Sequence, residues 1–425
     1  MTIAEPSGAT LYSQLFDPEV RPDPYPLYEQ LRARGPVRLP GTPFVLLTRH
    51  ADCAALLRDP RASVEHAAPK LRFGFLPSGA TAPVSPAEQP ALKPPPRTNP
   101  SFLFLDPPDH TRLRRLVQKA FTPHVIAELA PRITEFVDGV LDRSAALGAF
   151  DAVEDLGYPL PITVICWLLD IPVRDIPDLR RLSSGLASLL DPAAPNHPGF
   201  GADLAQMVTA RAELDAYFAH LAADRRNHPG PDLLTHLITA EDAGDQLTHE
   251  ELISTCGLLL MARHETTVNL ISNTLLALLR RPELLAAVRE DPELEPIALE
   301  ESLRYDPPVQ LIPRVASTDM RIGDTDLTKG EVIIGILAAA NRDPEVFPDP
   351  AAFDLHRENR HLSFGLGTHF CLGAPLARLE SRIAISRFAQ RVRNPRLLVD
   401  PPPYRPQVNL RGPASLPIEF DAITP

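Results

Sequence analysis

The amino-acid sequence predicts a mainly α-helical protein with small β-sheets, built as one large domain. Apolar residues recur with the spacing of helices over most of residues 107–306 and again over 374–391. Short runs rich in β-branched residues fall around residues 36–50 and 309–335, and we expect further strands within 393–425. No internal repeat and no long linker interrupts the 425 residues, which favours a single domain.

The elements follow one another as helices of ordinary length around the strand-rich parts. Residues 24–34 predict a first helix, VRLP and FVLLTR around a Gly-Thr-Pro turn predict a hairpin, and residues 51–58 predict the next helix. The later helices are expected at residues 109–121, 123–147, 158–170, 175–190, 203–226, 248–280, 282–290, 293–305 and 374–391. Strands are expected at RVAST, MRIG and EVIIGIL in the last third of the chain.

Proline is unusually frequent, with 49 of the 425 positions. Residues 77–100 are so rich in Pro, Ala, Ser and Thr that no regular structure is expected there. They lie within a gap of about 50 residues between predicted helices, which is far longer than a usual connection. The segment is therefore expected to be a lid over a site or a disordered stretch.

Charge and hydropathy exclude several classes of protein. A net charge of −12 leaves no concentrated basic face for nucleic acid, and 44% apolar residues supply a large core. The amino terminus has neither a basic start with an apolar core nor a run of about 18 apolar residues. We therefore expect a cytoplasmic protein without a membrane anchor, which acts as a monomer.

The four cysteines form no Cys-x-x-Cys pair, so neither a disulfide framework nor a zinc site is indicated. Cys166 and Cys256 lie in apolar helical segments, where an inert buried thiol is expected. Cys371 differs, because it ends a glycine-rich loop within residues 364–373 that opens a helix. Glycines let the backbone approach a flat ligand, and the helix dipole favours a thiolate at this position.

The spacing Phe-x-x-Gly-x-x-x-Cys-x-Gly of this loop resembles the haem-binding loop of the cytochrome P-450 family at every signature position. The resemblance implies haem b with the thiolate of Cys371 as axial ligand, Phe364 packed near the sulfur and His369 bonded to a propionate. Gly373 and Ala262 are expected to complete the haem contacts. It also implies the fold of that family, with the haem between a long central helix and the helix after the cysteine.

A second match lies in residues 300–308, where Glu301 and Arg304 are three residues apart and share a helix face. An exposed pair of this kind is common and weak. In the family, this Glu-x-x-Arg pair joins a later arginine, here Arg357, and supports the haem loop. Arg314 corresponds to the propionate-binding arginine that the family carries on a strand.

The helix predicted at residues 109–121 carries a third match. His110 and Arg114 are four residues apart and so share a face, and the family pattern assigns both to the haem propionates. Roughly opposite His110 lie basic residues that would either dock an acidic electron donor or simply face solvent. They are Arg112, Arg115 and Lys119.

The long helix predicted at residues 248–280 begins with a Thr-x-x-Glu capping box. Its middle resembles the Ala-Gly-x-Glu/Asp-Thr segment of the family's oxygen-activating helix, because Ala262, Glu265 and Thr266 match. Splitting dioxygen needs protons delivered to its outer oxygen, so Thr266 would position them and Glu265 would relay them.

Arg263 stands where the family has glycine, and its role is open. A buried guanidinium needs a partner, so one expectation is a pair with a carboxylate elsewhere in the chain. The alternatives are contact with an acidic or carbonyl-bearing substrate, or a disturbance of proton delivery. The neighbouring His264 is expected to satisfy a local hydrogen bond rather than to bind iron.

The segments expected to line a substrate site are apolar with few charges, which suits a lipophilic and moderately large molecule. Val309 and Leu311 are the candidate contacts after the Glu-x-x-Arg helix. The full set of candidate segments is residues 60–105, 175–226, 309–312 and 407–410.

The resemblance implies a bacterial monooxygenase of secondary metabolism that inserts one atom of O2 into its substrate by hydroxylation or epoxidation. Electrons would come from NAD(P)H through a ferredoxin reductase and a ferredoxin, both expected to be separate proteins. The alternatives are a peroxide-driven haem-thiolate enzyme, an oxidative coupling or desaturating enzyme, and a non-enzymatic haem sensor. Glu265 and Thr266 argue against the peroxide-driven enzyme and the sensor, since neither needs a proton relay.

Overall fold

The computed structural model describes residues 7–65, 101–187, 200–240 and 244–425, and most of this part of the chain is helical. The helices are, in chain order, α1 (Gly8–Gln14), α2 (Tyr25–Ala33), α3 (His50–Arg58), α4 (Asp109–Ala120), α5 (Pro123–Ala127), α6 (Ala130–Ala145), α7 (Pro159–Leu168), α8 (Ile176–Ala187), α9 (Phe200–Asn227), α10 (Leu233–Thr239), α11 (His249–Leu279), α12 (Pro282–Glu290), α13 (Leu294–Tyr305), α14 (Leu337–Ala340) and α15 (Ala374–Arg391).

The strands are short and fall into small sheets. They are β1 (Val37–Arg38), β2 (Phe44–Leu47), β3 (Ala62–Ser63), β4 (Ala149–Asp151), β5 (Leu311–Ala316), β6 (Met320–Ile322), β7 (Thr325–Leu327), β8 (Val332–Ile336), β9 (Val392–Arg393), β10 (Arg396–Leu397), β11 (Pro417–Glu419) and β12 (Ala422–Ile423). The main sheet has the order β1-β2-β8-β5-β3, in which β2 and β8 are parallel and the other neighbours antiparallel. The early hairpin and the strands after residue 310 therefore join in one sheet, while β11 lies between β10 and β4.

The central helix α11 agrees with the sequence prediction to within one residue at each end. Oγ1 of Thr248 accepts a hydrogen bond from the N–H of Glu251, and the carboxylate of Glu251 accepts one from the N–H of Thr248. Apolar side chains are buried around the helix, among them Leu260, Ile271 and Leu275, as expected of a helix inside a core. Because α11 packs against α7, α8, α9 and α15, its middle is held from several sides.

One helix prediction needs correction, and the correction involves a proline. The segment 123–147 forms two helices, α5 and α6, because Pro131 has no N–H to continue the backbone hydrogen bonds. The helix predicted at 158–170 begins at Pro159, directly after a π-helical turn at Ala152–Gly157. The sequence also gave no sign of α1, α10, α14 and β4, because elements this short carry too little periodicity.

The remaining predicted elements occur in the predicted order, although the EVIIGIL strand ends at Ile336 and continues as α14. The proline-rich segment 77–100 and the last residues of the helix predicted at 175–190 lie outside the described residues. Within the ranges that the structure describes, no helix is both long enough and apolar enough to span a membrane.

Candidate active site

The glycine-rich loop before α15 closes on itself and sets the position of its cysteine. The N–H of Cys371 donates to the carbonyl oxygen of Phe364 at 2.8 Å. Gly367 has a φ of +66°, and a Cβ at this position would lie 2.9 Å from the carbonyl oxygen of Leu57. Only glycine fits both requirements, so the loop can lie against α3 and bring Cys371 to the start of α15.

The thiol of Cys371 lies where a metal ion could bind it as a thiolate. Burial raises the pKa of the Cys371 thiol, while the N–H of Gly373 and the cations of Arg263 and Arg114 act in the opposite direction. A bound metal ion would displace the proton, since the thiolate is the form that ligates metals. The cysteine loop therefore supplies one anionic ligand in a position fixed by its backbone.

The Phe364 ring at the start of the loop is braced by a charged cluster. The guanidinium of Arg378 lies 4.5 Å from the ring centroid of Phe364 and forms two hydrogen bonds with Glu300, at 2.6 and 2.8 Å. His361 contacts the same carboxylate at 2.9 Å. Burial alone would raise the pKa of Glu300, but Arg378 and His361 outweigh it and lower the pKa to about 2.

Two imidazoles stack beside the cysteine loop. The ring centroids of His110 on α4 and His369 in the loop are 4.1 Å apart. His110 is completely buried, and neither of its ring nitrogens has a hydrogen-bond partner in the described part of the chain. Burial, reinforced by nearby cations, lowers the pKa of His110 to about 4 and that of His369 to about 3. Both rings therefore offer N–H or lone-pair sites to a group outside the chain.

Two arginines complete this cluster. Arg114 donates to the carbonyl oxygen of Phe370 at 2.6 Å, and Arg314 on β5 is 5% exposed and bonds to the carbonyl of Pro313. Burial lowers the pKa of Arg314 to about 10. The carboxylate of Asp106 acts in the opposite direction on the pKa of Arg314. The two imidazoles and two guanidinium groups together offer nitrogen donors at one place, which fits the carboxylates of a haem, as the resemblance implied.

The carboxylate of Glu265 and the hydroxyl of Thr266, in the middle of α11, have separate hydrogen-bond partners. Oγ1 of Thr266 donates to the carbonyl oxygen of Ala262, one turn earlier, at 2.8 Å. The carboxylate of Glu265 is buried and accepts a hydrogen bond from Nη1 of Arg405 at 2.5 Å. The same nitrogen donates to Asn269 at 2.6 Å. Burial raises the pKa of Glu265, and Arg405 opposes this shift.

Arg263, the residue that departs from the family pattern, is paired with a carboxylate. Its Nη2 donates to Oε1 of Glu380 on α15, and both side chains are buried. Burial raises the pKa of Glu380 to about 7, although Arg263 acts against the shift. Of the expectations for Arg263, this contact corresponds to the pair with a carboxylate elsewhere in the chain.

The three charges predicted to meet beneath the cysteine loop do so. Glu301 and Arg304 are completely buried and form two hydrogen bonds, at 2.8 and 2.7 Å. Nε of Arg357 lies 3.3 Å from the same carboxylate. Arg304 also donates to the carbonyl oxygens of Pro350 and Ala352, both at 2.8 Å. The cluster therefore fixes α13 to the meander that precedes the loop.

A short relay of hydrogen bonds continues from this cluster to the cysteine loop. Oγ of Ser363 donates to the carbonyl oxygen of Leu303 at 2.5 Å, and Nδ2 of Asn341 donates to the same hydroxyl at 2.9 Å. Oδ1 of Asn341 accepts from the N–H of Leu362 at 2.8 Å. Residues 362 and 363 directly precede Phe364, so the support predicted from the family pattern has a physical path.

Arg112, one of the three candidates for docking an electron donor, pairs with acidic residues of its own chain. Arg112 forms ion pairs with Asp245, at 3.3 Å, and with Glu251 at the amino end of α11. Its helix packs with Leu113 and Val117 inward, and the Arg112 side chain, 29% exposed, reaches these carboxylates. The other two candidates, Arg115 and Lys119, are exposed on α4.

Of the two expected substrate contacts, Leu311 is a core residue. Side chains alternate along β5, which directs Leu311 into the apolar core shared with Tyr28 and Leu31, where it is 2% exposed. Val309 is half-buried and forms a β-bridge with Leu410 in the carboxy-terminal segment. Only Val309 therefore keeps a side chain available beside that segment.

Sequence reasoning missed the two charged partners of α11, Arg405 and Glu380. Both are separated from their partners by more than a hundred residues, 140 for Arg405 and 117 for Glu380. Arg405 follows a proline-rich run without periodicity, and Glu380 lies on a helix with several charged neighbours. The one available signal was that Glu265 and Arg263, buried by the apolar flanks of α11, each needed an opposite charge.

The sequence and the fold both match known proteins over nearly the whole chain. The family model of cytochrome P450 matches residues 81–294 and 296–406. The cytochrome P450 monooxygenase PikC of Streptomyces venezuelae is 40% identical over 411 residues, which cover 94% of this chain and 91% of PikC. The vitamin D(3) 25-hydroxylase of Pseudonocardia autotrophica is 38% identical over 417 residues, which cover 95% of each chain.

Solved structures agree with this assignment. Ligand-free CYP164A2 of Mycobacterium smegmatis has a TM-score of 0.85 and 42% identity, and the match covers 97% of this chain and 100% of that one. P450BioI in complex with an acyl carrier protein ligated to hexadec-9Z-enoic acid has a TM-score of 0.83 and 35% identity, covering 95% and 99%. The predicted fold is confirmed, and the chain belongs to the cytochrome P450 family as a monooxygenase and therefore an oxidoreductase.

Proposed function

We propose that this protein binds haem b through the thiolate of Cys371 and inserts one atom of O2 into a lipophilic substrate by hydroxylation or epoxidation. The observation that carries the proposal is the cluster of His110, Arg114, Arg314 and His369 beside the cysteine loop. Nitrogen donors of this kind, gathered in one place, suit the two carboxylates of a haem held by the nearby sulfur.

The chain's own part in the reaction is to hold and move protons. When bound, the haem supplies the activation of O2, and a thiolate ligand favours cleavage of the O–O bond. Thr266 Oγ1 is held by the carbonyl of Ala262, and the carboxylate of Glu265 is the adjacent group able to carry a proton. Arg405 bonds to Oε2 of Glu265, so the proton would be carried on Oε1, while the cation of Arg405 favours its release.

Electrons are proposed to come from NAD(P)H through a ferredoxin reductase and a ferredoxin. Arg115 and Lys119 remain the candidate contacts for an acidic ferredoxin, because they are exposed on α4, the helix that also carries His110 and Arg114. A charged contact of this type speeds association and weakens as salt concentration rises.

The substrate is proposed to be lipophilic, and the relatives do not narrow it further. Similar proteins are named as a vitamin D(3) 25-hydroxylase, a nocardicin C N-oxygenase and a cytochrome P450 of biotin biosynthesis, which act on unlike molecules. A screen of lipophilic compounds by haem binding spectra addresses the substrate directly. Val309 beside Leu410 is the described position at which we expect substitutions to change the affinities.

The spectrum of the reduced, CO-bound protein tests the ligand. We expect the Soret band of a thiolate-ligated haem, its loss in Cys371→Ser, and its retention in the matched control Cys256→Ser, whose thiol is buried in the core. A band typical of imidazole ligation in the wild-type protein would contradict the proposal.

Turnover separates the proposed monooxygenase from the peroxide-driven alternative. Product formation with ferredoxin, reductase and NAD(P)H, compared with hydrogen peroxide alone, should favour the electron-transfer system. The Glu265→Gln variant should lose the NAD(P)H-driven reaction and retain any peroxide-driven one, because peroxide brings its own protons. Equal loss of both reactions would argue against a proton relay through Glu265.

A further inference from the structure

A buried ion pair joins the central helix α11 to α15, the helix that follows the cysteine loop. Arg263 and Glu380 are 6% and 0% exposed as side chains. Nε of Arg263 and Oε2 of Glu380 are buried without a hydrogen-bond partner in the described part of the chain. Removing two charges from water costs about as much free energy as their attraction supplies, and apolar side chains would often stabilise such a site equally well. Stability alone therefore gives no reason for this pair.

The pair lies next to the sulfur of Cys371. A Cβ placed on Gly373 would have Nη1 of Arg263 at 3.8 Å and Sγ of Cys371 at 3.9 Å as neighbours. The guanidinium thus uses Nη2 for Glu380 and presents Nη1 to the first turn of α15. Glu380 is nine residues after Cys371, on a helix with a rise of about 1.5 Å per residue. The carboxylate of Glu380 therefore lies further from the sulfur than the guanidinium of Arg263.

This arrangement is polarised, with its positive end towards the thiolate position. Arg263 supplies the positive charge of the pair, and its Nη1 borders the same position beside Gly373 as Sγ of Cys371. Arg378 also interacts with Cys371, but its charge is engaged by Glu300. A fixed positive charge close to a buried anion is worth more than the same charge in water, because the local dielectric constant is low.

We propose that Arg263 is a positioning residue that holds a positive charge beside the sulfur of Cys371, and that the Arg263–Glu380 pair thereby sets the reduction potential of the bound iron. The inference rests on the proposed role of Cys371 as the iron ligand. Reduction by one electron from an external donor adds a negative charge to the haem-thiolate unit. A cation held nearby stabilises the reduced form, and the carboxylate of Glu380 partly cancels that effect.

Redox titration of the substrate-free holoenzyme with dithionite and mediator dyes tests the sign of both effects. In Arg263→Gln the ferrous-to-ferric ratio at a fixed potential should fall about tenfold, equivalent to about 59 mV for a one-electron couple. In Glu380→Gln the ratio should rise severalfold, because the cation loses its counter-charge. Arg263→Lys keeps the charge and should lie between Arg263→Gln and the wild type.

Opposite shifts in the two variants would support the proposal, since a merely structural pair would move both potentials in the same direction or neither. Equal shifts, or no shift in either variant, would overturn it. If Arg263→Gln fails to retain haem, Glu380→Gln and Arg263→Lys still decide, because an unchanged potential in Glu380→Gln contradicts the proposal. The CO-bound spectrum of each variant separates a failure of the role proposed for Arg263 from a failure of the role proposed for Cys371. A thiolate-type band with unshifted potentials refutes only the role of Arg263, whereas its absence in the wild type refutes the role of Cys371.

Discussion

Replacing Glu301 by glutamine is expected to lower the free energy of unfolding by about 3–5 kcal/mol, the usual cost of leaving a buried charge without its partner. Glu301 and Arg304 are 0% exposed, and two hydrogen bonds of 2.8 and 2.7 Å join them. Glutamine has nearly the same size as glutamate, so the change removes charge without opening a cavity. Arg304 then remains as a buried cation, and Arg357 loses its only carboxylate contact within the described residues.

Urea-induced unfolding of the holoenzyme, followed by circular dichroism, measures this loss. The matched control is Asp178→Asn, because Asp178 and Arg181 have the same spacing on α8 but are 80% and 64% exposed and 3.8 Å apart. The control should stay within about 0.5 kcal/mol of the wild type. A loss below about 1 kcal/mol in Glu301→Gln would refute the view that this cluster is a main support of the fold.

Three further predictions concern other charged groups. Arg405→Met should leave substrate affinity unchanged but lower the yield of product per NAD(P)H severalfold. Without the cation, the buried carboxylate of Glu265 would keep its proton. An unchanged yield would contradict a proton relay through Glu265. Arg112→Gln should lower the melting temperature without changing the KM for ferredoxin. Arg115→Gln should instead raise that KM, and only at low salt. A raised KM in Arg112→Gln with none in Arg115→Gln would favour Arg112 as the docking residue. The pKa of Glu300 lies at about 2 instead of 4.5, because the groups that bind it outweigh burial, so its contribution is present above about pH 4.5 and is lost as the pH falls towards 2. At neutral pH, Glu300→Gln should therefore have a free energy of unfolding about 2 kcal/mol below that of the wild type, after allowance for the partial exposure of Glu300. This difference should shrink below pH 4.5. A difference that does not change with pH would refute the stabilising role of the ionised carboxylate.

Local patterns were sufficient where one short segment determines the outcome. The ends of α11 were predictable because a capping box fixes its start and continuous apolar sequence requires burial on all sides. The cysteine loop was predictable for a similar reason, since its glycines and its cysteine all fall within residues 364–373, and Gly367 there has the positive φ that favours glycine. In each case the physical requirement and the residues that meet it lie within a few positions of each other.

Strand register and long-range pairing were not predictable in this way. The apolar run at residues 309–312 looked like a substrate-lining segment, but the period-two alternation of β5 turns Leu311 into the core. Arg112 appeared to belong to a solvated basic face, because nothing in α4 reveals that the amino end of α11 lies against it. In both cases a side chain's surroundings depend on segments that are distant in the sequence.

The charged residues of α11 show how one helix keeps two functions apart. Arg263 and Glu265 are two positions apart, which places them about 200° apart around the helix. Accordingly, Arg263 pairs with Glu380 on α15, whereas Glu265 pairs with Arg405 in the carboxy-terminal segment. A change at Arg263 thus acts on the side of the cysteine loop and leaves the carboxylate of the proposed proton relay with its own partner. One alternative for Arg263 was that an arginine in place of the family's glycine disturbs proton delivery. The separate partners of Arg263 and Glu265 do not support that alternative. A substitution at Arg263 should alter the reduction potential before it alters the coupling of electrons to product.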